Sequence, residues 1–353
     1  MPPAPWKKSF LMLLALAVLV KLLAAFPDKV ESWYSLGFYP ALATFSRHVT
    51  GWIPFSIGDI LYLGLGIWLL WSVLSLLQII RKRRFRTLQP WKTASIWLGF
   101  YVYFNLFWGL NYNRLGIASQ LKLEIKEPET GELAQLCAQL LERTNRYASF
   151  SRRPNGGNQE RIRRSAREAF ASLSPQYPFL HYSPSSIKGS LFGKVGNYVG
   201  YTGYFNPLTG EAQVNETVPP VLFGFVTCHE IAHQLGYAKE NEANFVGFLA
   251  ARQSADSLLR YSAYFDMFLY ANNQLYREDS ALARKNMLAL DTLARMDLAD
   301  LRKFRIRYRS FVEVWVDQFY NLYLKANQQP SGRMSYSRVV LWLLAEYRRT
   351  GRI

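Results

Sequence analysis

The sequence predicts a mainly α-helical protein: transmembrane helices within residues 1–112, then a domain over residues 113–353 in which helices surround a small β-sheet. Three observations predict it. The long apolar runs lie in the first third of the chain. Beyond Asn113, apolar residues recur mostly at three- and four-residue spacing, the mark of amphipathic helices. Gly189 to Asn215 breaks that rhythm with Gly, Tyr and Phe, which favour strands and turns.

Composition narrows the function. The chain has 353 residues, half of them hydrophobic, with 16% aromatics and a formal net charge of +17. No nucleic-acid motif accompanies the basic charge, so anionic lipid headgroups or an anionic cell wall are the expected partners. Two cysteines, Cys137 and Cys228, do not make a disulfide framework, and Cys228 reads as a small core residue.

Taken in order, Lys7 and Lys8 precede an apolar run over residues 10–26, which reads as a retained signal anchor because no small-residue cleavage site follows. Residues 55–80 exceed the roughly 20 needed to cross a bilayer. Their one charge, Asp59, is expected at the interface; an intramembrane carboxylate would hint at function instead. The basic run Arg81 to Arg86 marks the cytoplasmic side. Residues 93–112 form the third expected span. The segment from Pro27 to Pro54 reads as an outer loop, so the N-terminus is inside and everything after Tyr112 is outside the cytoplasmic membrane.

The later domain is read as a helix over Glu132–Tyr147, a loop over Ser149–Asn158, a basic helix over Gln159–Leu173 and a turn at Ser183–Ser186. Within the Gly- and aromatic-rich stretch, Asn206–Gly210 is a turn and Ala212–Asn215 a returning strand. Helices follow over Leu258–Leu275, Leu282–Leu293, Leu298–Ala326 and Tyr336–Tyr347, with a polar break at Asn327–Gly332.

The chemistry centres on His229-Glu230-Ile231-Ala232-His233. On a helix, residues four apart share a face, so both imidazoles can grip one ion. Two imidazoles and one oxygen ligand suit Zn²⁺, with a fourth position left for water. Glu230 is the general base of such a site rather than a ligand on the same face. Pro219 and Pro220 suit the first turn of the motif helix and Gly236 its end. The other two histidines, His48 and His181, are poorly placed, so the third ligand is sought in Glu240-Asn241-Glu242. Helical spacing favours Glu240, which shares a face with Asn244 and Gly247; Glu242 is the competitor on another face. Asn244 could hydrogen-bond a ligand imidazole, and small residues on that face would allow close helix approach. The plain alternatives are a core helix with hydrogen-bonded histidines and a solvated acidic first turn.

The run from His229 to Phe245 resembles the signature of the bacterial membrane family catalogued as domain of unknown function 3810. The resemblance extends to Pro54–Asp59, Trp108–Tyr112 and Gly200–Gly210. It implies a zincin-like α+β metallopeptidase domain with bound zinc. Glu240-x-x-Ala243-Asn244 is also similar to the Glu-x-x-Ala-Asp element of membrane-bound gluzincins, which implies zinc ligation by Glu240. The resemblance further implies that residues 189–215 supply an edge strand that holds a peptide substrate by main-chain hydrogen bonds. A structural hairpin is the alternative.

These readings predict a membrane-anchored zinc metallopeptidase that cleaves peptide or related amide bonds in peptide or protein substrates outside the membrane. Tyr204 and Tyr336 are candidate oxyanion donors. Two other functions compete. Intramembrane proteolysis would need an Asp-Gly ligand motif on a second span, for which Gly58-Asp59 is a poor substitute. A non-catalytic, zinc-stabilised binding domain would leave Glu230 without a role.

Overall fold

The computed structural model describes residues 5–82, 90–129, 131–152, 158–329 and 338–353. It is mainly helical with a small three-stranded sheet. The helix Pro5–Ala24 packs along Pro90–Phe107. Ile57–Arg81 stands apart as one continuous 25-residue helix, capped at its start by Ser56, whose hydroxyl accepts from the Asp59 amide at 2.9 Å. Among the described residues it is the one helix that is long and apolar enough by itself to cross a membrane. A second candidate is a pair bent by 99°, Trp6–Ala24 with Pro27–Gly51. The third expected span, residues 93–112, is divided between the helix Pro90–Phe107 and a 3₁₀ turn Gly109–Asn113, and this helix is not among those long and apolar enough to cross a membrane. Of the basic run, positions 83–86 lie outside the described residues.

The segment expected to be an outer loop is helical. Pro27–Lys29, a π-helical Val30–Phe38 and Tyr39–Gly51 run on from one another. Pro27 and Pro40 each fall in a first helical turn, where a missing N–H costs nothing. Val30, Tyr34 and Tyr39 turn inward and form a second core with Trp108, Leu110, Tyr112 and Ala238.

The main core is built on Glu132–Tyr147, Gln159–Leu173, Pro220–Gln234, Glu240–Gln253, Ser257–Glu278 and Val339–Thr350. Leu133, Leu136 and Leu140 are fully buried at helical spacing, and burial of each such side chain stabilises by about 1.5–3 kcal/mol. The helix expected over Leu282–Leu293 is Ser280–Leu288, and the one expected over Leu298–Ala326 begins earlier, as Thr292–Tyr308, because Asp291 accepts the Leu293 amide and starts it. Ser310 likewise accepts the Glu313 amide and separates Phe311–Ala326 from its predecessor. Both cysteines are buried and free.

The sheet consists of β1 (Ile187–Gly189), β2 (Gly203–Asn206) and β3 (Glu211–Val214), in the order β1-β3-β2. β3 is central, parallel to β1 and antiparallel to β2. Between β1 and β2 the chain forms a short helix, Gly193–Val199, where glycine content had suggested only strands and turns. Gly200, at φ +86°, ends it. Alternate residues of β3 do different work. Ala212 and Val214 are fully buried, and Val214 joins the main core. Glu211 and Gln213 face the long apolar helix, where Glu211 accepts the Ile57 and Gly58 amides at 3.2 and 2.6 Å. A carboxylate at that terminus satisfies orphan N–H groups and complements the helix dipole.

Candidate metal centre

The motif helix Pro220–Gln234 is almost wholly buried. Gly236 ends it at φ +88°, a left-handed conformation that favours glycine, with the Gly236 amide on His233 O and the Tyr237 amide on Ala232 O. Gln234 then pins the helix end: it accepts from the Tyr182 hydroxyl at 2.6 Å and donates to Ser186 O and Gly210 O at 3.0 and 2.7 Å. The tight turn sends Glu240–Gln253 back against the motif helix. Gly247 is the point of close approach, where an added Cβ would lie 3.0 Å from the His229 amide nitrogen and 3.2 Å from its Cα.

That approach brings His229, His233 and Glu240 together. Glu240 Oε2 lies 3.3 Å from His229 Nε2 and 3.6 Å from His233 Nε2. The three ligand atoms all fall within 4.8 Å of one another. Ligands about 2.0–2.1 Å from a tetrahedral Zn²⁺ stand roughly 3.3 Å apart, so the donor set fits that ion in chemistry and spacing. His233 Nδ1 meets Tyr237 O at 2.7 Å, which assigns a proton to Nδ1 and turns Nε2 toward Glu240. Glu240 Oε2 is buried and no hydrogen bond reaches it. Among the described residues the cluster has these three members and no fourth His, Cys, Asp or Glu.

The surroundings hold each group in place. The Tyr320 hydroxyl donates to Glu240 Oε1 at 2.6 Å, and the Glu240 amide donates to Gln329 Oε1 at 3.1 Å. Trp108 stands edge-on to His233, with ring centroids 5.9 Å apart. Asn244 pairs with the Tyr270 hydroxyl. Burial raises the Glu240 carboxyl, but the two imidazoles outweigh it and hold the group well below the usual carboxylate range. Burial lowers the His233 imidazole, yet the Glu240 carboxylate prevails and pushes it up to about 9. Glu230 is also buried, which pushes its carboxyl up to about 7 against the pull of both histidines. Its Oε1 faces β2 at Gly203, where a Cβ would come within 2.8 Å.

Glu242 points elsewhere. It lies against Gly116, 3.6 Å from Lys239 Nζ and close to Arg114, away from the imidazoles. Tyr204 does not face the cluster either, because its hydroxyl donates to Asp59. Asp59 is itself buried, and also accepts the Leu191 amide at 2.6 Å. Tyr336 lies outside the described residues. Sequence reasoning missed Tyr320 and Gln329, which lie 80 and 89 positions from Glu240 and carry no local signal.

Fold and cluster together define a mainly helical protein with a small sheet and a buried His-His-Glu triad beside a carboxylate. The chain belongs to the family described as Protein of unknown function (DUF3810), whose model matches residues 34–344. No curated protein and no solved structure matches it.

Proposed function

We propose that the protein is a membrane-anchored, zinc-dependent hydrolase of peptide or related amide bonds, with a zincin-like site outside the cytoplasmic membrane. The observation that carries this reading is Glu240 Oε2 standing 3.3 and 3.6 Å from the two histidine Nε2 atoms. Zinc bound there polarises a scissile carbonyl and acidifies water. Glu230 is the general base: with its carboxyl near 7 it can take a proton at neutral pH and deliver it to the leaving amine. β2 supports the binding of an extended peptide. The Thr202 and Asn206 carbonyls accept from Asn215 and Gly210, which turns the backbone of Gly203 and Phe205 away from β3. A substrate strand could pair there, beside Glu230.

Burial of the cluster beneath Tyr320 favours one second reading, in which zinc only ties the helices together. Metal analysis of the purified full chain, with a peptide-library digest of wild type and Glu230→Gln, tests both. The hydrolase reading expects one zinc in each protein and turnover in the wild type alone. Absence of zinc, or cleavage that survives in the variant, sinks it. Zinc without turnover in the wild type leaves the structural role.

A further inference from the structure

The helix Phe311–Ala326 is amphipathic in the reverse sense. Its outer face carries Phe311, Trp315 and Phe319, exposed at 80, 60 and 70%, joined at helical spacing by exposed Val314 and Leu322. Its inner face carries Tyr320, bonded to Glu240, and Glu313, which packs against Gly200. A water-exposed helix would turn the other way. Five exposed basic residues, Arg302, Lys303, Arg305, Arg307 and Arg309, lead into it. The helix also adjoins the apolar N-terminal region. The Tyr323 hydroxyl is 3.1 Å from that of Tyr112, and its ring meets Phe104 at 6.4 Å. Ser310 donates to Tyr198 O at 2.6 Å, which ties the start of the helix to the segment that carries exposed Val195 and Tyr198.

We propose that this outer face lies in the interface of the bilayer crossed by Ile57–Arg81, with the preceding basic run on anionic phosphate headgroups. Apolar and aromatic side chains flanked by arginine match the chemistry of that layer. The helix Phe311–Ala326 also neighbours the start of the long helix: Tyr323 lies within electrostatic reach of Tyr62, which stacks on Tyr204 of β2 at 5.7 Å. The inference rests on reading Ile57–Arg81 as a span and not on hydrolysis. Because the opposite face holds Tyr320 on Glu240, the candidate metal centre lies one helix away from lipid, and polypeptides at the membrane surface are the substrates it would meet first.

The test labels the full chain at Phe319→Cys, and separately at Trp315→Cys, with an environment-sensitive fluorophore. The native thiols, Cys137 and Cys228, are fully buried. The protein is reconstituted in vesicles of phosphatidylcholine and phosphatidylglycerol, with or without nitroxide-labelled phospholipid. Leu70→Cys, in the long helix, reports the span. We expect nitroxide lipid to dim the labels at 315 and 319 by about twofold or more, with protection from aqueous iodide. Iodide quenching without lipid quenching at 315 and 319, while Leu70→Cys is quenched by lipid, overturns this inference alone. Self-quenching between labelled copies, insensitive to both agents, assigns the face to a second copy and also overturns it. Failure of lipid quenching at Leu70→Cys removes the span and the inference together.

Discussion

Gly247→Ala probes the contact on which the cluster depends. The new Cβ would lie 3.0 Å from the His229 amide nitrogen, 3.2 Å from its Cα and 3.2 Å from Cys228 C. All three are backbone atoms inside a buried helix, so no flexible side chain can yield, and the two helices must separate by a few tenths of an ångström. Overpacking of this kind costs about 1–3 kcal/mol. Alanine in a helix otherwise gains about 0.5–1 kcal/mol over glycine, which leaves a net loss of up to about 2.5 kcal/mol. Glu240 is two turns earlier on the same face, so the separation acts directly on its 3.3 Å approach to His229. Disturbing the groups that orient a metal ligand costs about 10–100-fold in affinity. Competition against a zinc chelator and thermal unfolding, both on the full chain in detergent, measure the two effects. Gly64→Ala is the control, since a Cβ there meets nothing within 4 Å. Wild-type zinc affinity and stability in Gly247→Ala would refute the argument.

Two further predictions concern the same cluster. Tyr320→Phe removes the donor to Glu240 Oε1, a charge-assisted bond worth about 1.5–3 kcal/mol, and should weaken zinc about tenfold or more without unfolding the protein; unchanged affinity in the chelator competition would deny Tyr320 any part in holding the ligand. The His233 imidazole, held up to about 9 by Glu240, is protonated at neutral pH in the metal-free protein and must lose that proton to bind zinc. Affinity should therefore rise roughly tenfold per pH unit between about pH 6 and pH 8, with close to one proton released per zinc, measured calorimetrically in buffers of different ionisation enthalpy. A flat pH profile would contradict it.

What was legible in the sequence is what local rules control. Pro220, the paired histidines and Gly236 fix the motif helix because its start, its histidine-bearing face and its end are each written within a few residues. Glu240 was separable from Glu242 because one residue step turns a helix by about 100°, and Gly247 marks which face meets the neighbour. The cap at Ser310 was missed, so apolar periodicity alone ran together two helices that a single side chain divides, and the cap at Asp291 moved a helix start. Tyr204 was misjudged because its partner Asp59 lies 145 residues away, and no spacing rule carries that information. The reversed polarity of Phe311–Ala326 could be read as a helix but not oriented, since an apolar stripe does not say which side is protein.

The same long-range contacts decide what the smallest working unit is. Arg114 makes a two-pronged pair with Glu31, its Nε and Nη2 donating at 2.9 and 2.8 Å, and its third nitrogen donates to Gly236 O at 3.1 Å, at the end of the motif helix. Glu31 also accepts from the Gly116 amide and from Gln120, whose Oε1 in turn receives the Tyr237 hydroxyl. Burial raises the Glu31 carboxyl, but Arg114 and its other donors prevail and hold it below the usual range. Its contribution to stability is therefore full above the ordinary carboxylate value and fades as pH falls below it. Tyr39 adds a hydroxyl to Gln234 O at 3.2 Å, and Trp108 stands against His233. A fragment beginning at Asn113 would strip Glu31, Tyr39 and Trp108 from around the turn that positions Glu240. It would leave Arg114 without its carboxylate, and removing one partner of a buried pair costs about 3–5 kcal/mol. The N-terminal helices are thus part of the cluster's scaffold, and the turn at Gly236 is where they meet the motif helix.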